Sequence, residues 1–184
     1  MSGQSCCIEM SLHILIDGYN LIRQSPDLRN IELRNLQEGR EALLDRLAAY
    51  MEVKKHRITV VFDGMYAEDV LERRTTWRGI NVIFSRHGES ADDVIKRMVK
   101  KEREKVVVVT SDREIAGFAY HRGAATISSP EFEHKMKMAS YLEAKGLGTM
   151  NGYDAGWSMT TRKKGPSRRL SKRERRNKIK TDKL

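Results

Sequence analysis

Four short motifs end an apolar run, or open an amphipathic one, with aspartate. "HILID" stops at Asp17, "RITVVFD" at Asp63 and "VVVVTSD" at Asp112, while "SADD" sets Asp92 and Asp93 at the head of a helical pattern. Carboxylate oxygens are hard ligands that suit Mg²⁺ or Mn²⁺. Gathered in one cleft they would repel one another by several kcal/mol in a low dielectric, and a divalent cation removes that repulsion. Taken singly, an aspartate after a strand is a turn former or helix cap. Four such positions at corresponding strand ends are harder to explain one by one, so a joint metal site is the expectation. Glu41 is placed to join it from a neighbouring helix, with Glu38 three residues earlier. No histidine stands at the aspartate end of these motifs, which disfavours a metal-free mechanism using a histidine pair, and His87 reads as a loop residue.

Positioning these acids requires strands that end together. Residues 12–16, 57–63, 79–85 and 105–112 read as strands one to four, and "AATIS" as a short fifth. The unbroken valines of 106–109 predict a strand covered on both faces. Helices are expected over 31–53, where leucines recur at helical spacing, over 90–104 behind the cap Ser90, from "DREIAGFAYH" to near Gly123, and over 129–146. Alternating strands and helices imply an α/β fold, with a central parallel sheet and helices on both faces. In such sheets ligands sit beyond the carboxyl ends of the strands, which is where the acids fall.

The chain has 184 residues, 39% hydrophobic and 33% charged, enough for one domain with its own core. No apolar run approaches the ~20 residues that span a bilayer, so no membrane partner is expected. Residues 1–10 lack a basic, long-apolar signal pattern and read as a loose leader. Its adjacent Cys6 and Cys7 read as reduced thiols, in keeping with a cytoplasmic location. The net charge of +10 is uneven: residues 162–184 hold twelve Lys/Arg against two acids, the whole surplus. Residues 1–161 therefore sum to zero, and within them residues 11–146 read as the domain. Residues 147–184 form a linker and a basic tail, disordered or helical only on contact.

An acidic site needs help to hold a polyanion. The tail bases Arg168, Arg169, Lys172, Arg173, Arg175 and Arg176 suit phosphate backbones, with RNA, mRNA or rRNA, and the ribosome as natural partners. In "LERRTTWRG", Arg73, Arg74 and Arg78 flank Trp77, a set able to grip phosphate and stack on a base, with Arg86 a lesser candidate. Two enzyme alternatives fit poorly. A haloacid-dehalogenase-type phosphatase needs a second aspartate two residues on, where Tyr19 stands. A receiver-type phosphoacceptor needs its paired acids at strand one. A non-catalytic RNA-binding module, with the acids only as caps, stays open.

Together "ILIDGYN", "REALLDRLAAY", "VVFDG", "SADD" and "VVTSD" resemble the YacP-like NYN-domain ribonucleases of the PIN-like superfamily, over roughly residues 12–145. The resemblance implies a PIN-like three-layer fold with strand order 3-2-1-4-5. It implies Mg²⁺- or Mn²⁺-dependent endonucleolytic cleavage of RNA. Asp17, Asp92 and Asp112 then match metal-binding catalytic acids. Glu41 and Asp63 complete the shell, and Asp93 is a looser metal candidate. Asn20 and Ser111 support the site, and Gly18 matches the motif glycine where backbone must come close to it.

Overall fold

The computed structural model describes residues 11–64, 72–146 and 170–184. The expected leader, its two cysteines, the 147–169 linker and the bases Arg168 and Arg169 lie outside the described residues. Among the described residues six strands form one sheet: β1 (His13–Asp17), β2 (Arg57–Phe62), β3 (Arg73–Trp77), β4 (Ile80–Phe84), β5 (Val106–Val109) and β6 (Ala125–Ile127). Their order is β3-β4-β2-β1-β5-β6, and every pairing is parallel except β3 with β4. With β3 set aside, the remaining five follow the expected order 3-2-1-4-5.

Helices cover both faces. α1 (Gly18–Gln24), α2 (Pro26–Glu32), α3 (Leu36–Lys54) and α6 (Ser129–Ala144) supply one face, and α4 (Ala91–Glu102) and α5 (Arg113–His121) the other. Strand side chains alternate between them. Ile14, Ile16, Ile58, Val60, Phe62, Val107 and Val109 enter the first core, while Leu15, Val61, Val106 and Val108 enter the second. Period-two alternation inside continuous apolar runs is what a doubly covered sheet demands. Among the described residues no helix is long and apolar enough to cross a membrane.

Three expectations are corrected. Between β1 and the long helix, where no element is expected, the chain enters α1 directly after Asp17, breaks at Ser25 before Pro26, and forms α2. Proline suits a first helical position but ends what precedes it. The long helix therefore starts at Leu36, capped by Asn35, and Leu33 is 74% exposed rather than core. Second, "RRTTW" is a strand. It returns to β4 through Arg78 (φ 45°) and Gly79 (φ 85°), the left-handed pair that a tight hairpin turn requires.

Third, the basic tail is not a loose arm over its described part. Lys172–Asp182 forms α7, begun by a capping box of Ser171 and Glu174. α7 packs against β6 at the amino ends of the strands. Beyond it Leu184 is buried in the first core, and its carbonyl oxygen accepts from the Tyr50 hydroxyl at 2.6 Å.

Gly18 is forced by packing rather than by the site. A Cβ there would stand 2.4 Å from Cε1 of Phe62, a fully buried ring held between Tyr19 (5.2 Å) and Phe84 (5.6 Å). Gly18→Ala is expected to cost about 1–3 kcal/mol through overpacking, read by urea denaturation; an unchanged midpoint and slope would show that the ring yields freely.

Candidate functional site

β1 lies between β2 and β5. After β1 the chain moves toward β2 through α1–α3 on one face; after β5 it moves toward β6 through α5 on the other. The carboxyl ends of β1 and β5 therefore flank a crevice at the point where the winding reverses. Asp17 closes β1 there, and Thr110, Ser111 and Asp112 follow β5.

Asp17 is 8% exposed. It caps α1 by accepting from Asn20 N–H (3.2 Å), and its other oxygen accepts from Thr110 Oγ1 (3.4 Å). Thr110 Oγ1 also accepts from Asp112 N–H at 3.1 Å, so one hydroxyl links the two acidic loops. Asp112 caps α5: its Oδ1 accepts from the N–H groups of Glu114 (2.6 Å) and Ile115 (3.2 Å). Asp92 sits in the first turn of α4. Strand-end aspartates here are caps and cluster members at once, and each helix N-terminus turns partial positive charge toward the crevice.

Electrostatics tie the three together. Burial raises the Asp17 carboxyl to about 6; hydrogen bonds from Asn20 and Thr110 oppose the rise, and the charges of Asp92 and Asp112 add to it. Asp92 is also raised, first by desolvation and then by Asp112. The lysine that eases it is Lys96, one turn along α4 and ion-paired to Glu114 of α5. Two raised carboxyls that share Asp112 as a neighbouring charge mark a place that favours positive charge.

The donor chemistry fits a hard divalent ion. Capping takes one Asp112 oxygen and leaves Oδ2 outside those bonds. As placed, however, no three His, Cys, Asp or Glu side chains among the described residues close on a common ligation point.

The other predicted acids sit differently. Asp93 Oδ2 accepts from Ser90 Oγ (2.8 Å) and Ser90 N–H (3.2 Å), a capping box, and the same bonds hold its carboxyl below the usual range. Its metal role is thus replaced by a local one that the spacing Ser-x-x-Asp itself dictates. Asp63 accepts from Ser85 Oγ (3.3 Å) and acts electrostatically on Tyr19. Glu41 accepts from Gln37 one turn earlier (2.8 Å). The charges acting on Asp17 are Asp92 and Asp112 rather than either of these.

Asn20 fastens the loop after β5. Its Oδ1 accepts from Ser111 N–H (2.9 Å) and Ser129 Oγ (2.8 Å), while Ser111 Oγ accepts from Ser129 N–H (3.2 Å). The expected supporting roles of Asn20 and Ser111 thus take the form of a three-residue clasp from α1 to α6. Missed in the sequence were Thr110, hidden as the last polar letter of a valine strand, and Arg40. Arg40 donates to the Tyr19 hydroxyl and lies over the rings of Tyr19 (5.5 Å), Phe62 (5.8 Å) and Phe84 (5.3 Å).

The expected grip of "LERRTTWRG" does not assemble as one patch. Arg73 pairs in register with Phe84 at the carboxyl end of β4, and Trp77 with Ile80 at its amino end. The strand thus separates Arg73 and Arg74 from Trp77 and Arg78. Arg74 pairs with Glu72 (2.6 Å), Arg78 with Asp45 (3.4 Å), and Trp77 Nε1 donates to Asp45 (3.2 Å). Trp77 packs its ring on the first core, which argues against a free stacking platform. Arg86 is paired to Glu89 (3.2 Å).

This sheet, with acids gathered at its reversal crevice, defines a PIN-like α/β domain of nuclease type. A family model described as the YacP-like NYN domain matches residues 14–181, and the chain belongs to that family. The match takes in α7, beyond the span over which the motifs alone carry the resemblance. The "Uncharacterized protein YacP" of Bacillus subtilis (strain 168) is 30% identical over 121 residues, 64% of this chain and 71% of that protein. A crystal structure of Rae1 (YacP) from Bacillus subtilis, in a mutant form, superposes with TM-score 0.63 at 25% identity, covering 72% of this chain and 79% of that one. A second Rae1 (YacP) structure gives 0.60 at 27%, over 73% and 78%.

The geometry can be tested at two residues. Asp17→Asn keeps the cap and the shape. A carboxyl raised from 3.8 to about 6 by folding stabilises the parent only while protonated, so parent stability falls as pH rises through that window. With divalent ions chelated, the variant should match the parent near pH 4 and exceed it by up to about 3 kcal/mol above pH 6, by thermal unfolding. Parallel pH profiles would refute the burial-and-repulsion account. Asn20→Ala strands Ser111 N–H and should cost about 1–3 kcal/mol by chemical denaturation, whereas a loss within error would mean the clasp is dispensable.

Proposed function

We propose that the chain is a metal-dependent endoribonuclease that hydrolyses RNA phosphodiester bonds at the β1–β5 crevice. The observation that carries this reading is the meeting of three aspartates at the carboxyl edge of the sheet, where burial and the charges of Asp92 and Asp112 raise Asp17, and burial and the charge of Asp112 raise Asp92. Asp17, Asp92 and Asp112 would hold Mg²⁺ or Mn²⁺, which when bound supplies counter-charge to the phosphate and a nucleophile from water at neutral pH. The chain's own residues prepare that place. Thr110 fixes the Asp17 carboxylate against the Asp112 loop, and Asn20 keeps that loop at its distance from α1. Lys96 adds one positive charge beside Asp92 at the mouth.

The competing reading, a non-catalytic RNA-binding module, draws on the capping roles of Asp17 and Asp112. Capping needs one acceptor oxygen, which asparagine supplies equally well without charge. It leaves Asp92 and the repulsion among the three unexplained.

A circular RNA, having no ends, is the decisive substrate. Cleavage is expected with Mg²⁺ or Mn²⁺ and not with chelator, and Asp17→Asn or Asp112→Asn should each lower the rate by roughly a hundredfold or more. Full activity in both variants, or an intact circle under every metal condition, would return the module reading.

A further inference from the structure

α7 meets the end of α5 across a groove of about 330 Å³. His121 and Arg122 line one wall; Arg173, Arg176 and Lys180 line the other, at intervals of three and four that stack side chains on one helix face. Arg122 lies over Phe118 (5.4 Å) and Arg173 over Tyr120 (4.2 Å). One acid, Glu104, lines the same groove. Its carboxylate is 3.9 Å from Arg176, and its backbone carbonyl accepts from Lys180. The surplus is positive, and α7 is also seated from outside the groove by Leu184 and Tyr50. Burial lowers the Lys180 ammonium below its ordinary value; Glu104 opposes that and Arg176 adds to it.

Arg173 gives the pointer to a ligand. Its Nε and Nη2 are buried and have no hydrogen-bond partner among the described residues. They lie along one edge of the guanidinium, the edge that matches two oxygens of a phosphate. Desolvated donors left unmet are rare in folded proteins and need an explanation. The edge is closed to solvent in the free chain, so seating an anion requires the side chain to turn outward into the groove it lines.

We infer that this groove is a binding site for the phosphate backbone of RNA, built by α5 and α7 at the amino edge of the sheet. It lies remote from the acidic crevice, for β5 alone, four residues or about 13 Å, runs between Glu104 and the loop of residues 110–112. The site rests on the hydrolase reading for the identity of the polymer, and on its own geometry for the phosphate. An RNA that engages both places must be long enough to pass round the side of the domain. A short oligonucleotide at the crevice leaves the groove empty.

The test reads binding alone. In the Asp17→Asn background with divalent ions chelated, fluorescence anisotropy follows a labelled polyuridylate of about thirty nucleotides across a range of KCl. Arg173→Gln and Arg122→Gln, added separately, should each weaken binding at least fivefold and flatten the slope of log affinity against log salt by about 0.7 for each phosphate no longer engaged. Arg173→Lys should restore the slope without restoring the affinity, since it keeps the charge and loses the two-pronged edge. Arg122 is exposed at the end of α5, so its substitution does not unseat α7. Affinity and slope unchanged in both glutamine variants would overturn the site, whatever the crevice does. Loss of binding in both upholds it even if the circular RNA stays intact.

Discussion

Asp17 is a carboxyl whose surroundings oppose its charge. It ends the middle strand of a buried sheet, water scarcely reaches it, and two further aspartates face it. Deep desolvation alone would neutralise such a group. Hydrogen bonds from Asn20 and Thr110 pull the other way and leave it near the threshold of ionisation. Much of the local architecture serves that balance. α1 starts without a connecting loop so that its first N–H groups face the carboxylate, and Thr110 spans the crevice to do the same from β5.

The same economy explains why caps and candidate ligands coincide. A helix beginning directly at a strand end needs an acceptor for its free N–H groups, and aspartate is among the best. Two neighbouring strands leading to helices on opposite faces bring two such acceptors together. The third comes from α4, which enters from the far side of the sheet. Stability and chemistry thus place the same residue type at the same positions for different reasons, and the cluster exists because the backbone geometry already draws acids there.

What could be read in the sequence follows from where the physical signal is local. The central strands were legible because burial on both faces leaves continuous valine and isoleucine runs, each stopped by an aspartate. β3 was not legible: "RRTTW" is polar on both faces and owes its conformation to the neighbouring β4 and a two-residue turn. The boundary at Asn35 was masked by Leu33, which continues the leucine spacing while standing in solvent. The grouping of Asp17, Asp92 and Asp112 followed from topology once the strands were known. Asp93 adjoins Asp92 but stands three residues after Ser90, and the capping bond to Ser90 sets the two apart. The seating of α7 was invisible to periodicity, because it depends on Leu184 and Tyr50, 134 residues apart.

The outer strand β3 has a further meaning. Open sheet margins offer unpaired backbone groups to any extended peptide. At one margin this sheet presents a short strand whose exposed residues begin with Arg73 and Arg74; at the other, α7 lies against β6. Like-charge repulsion guards the first margin and a helix obstructs the second. Among the described residues, strand addition is thereby discouraged at both margins.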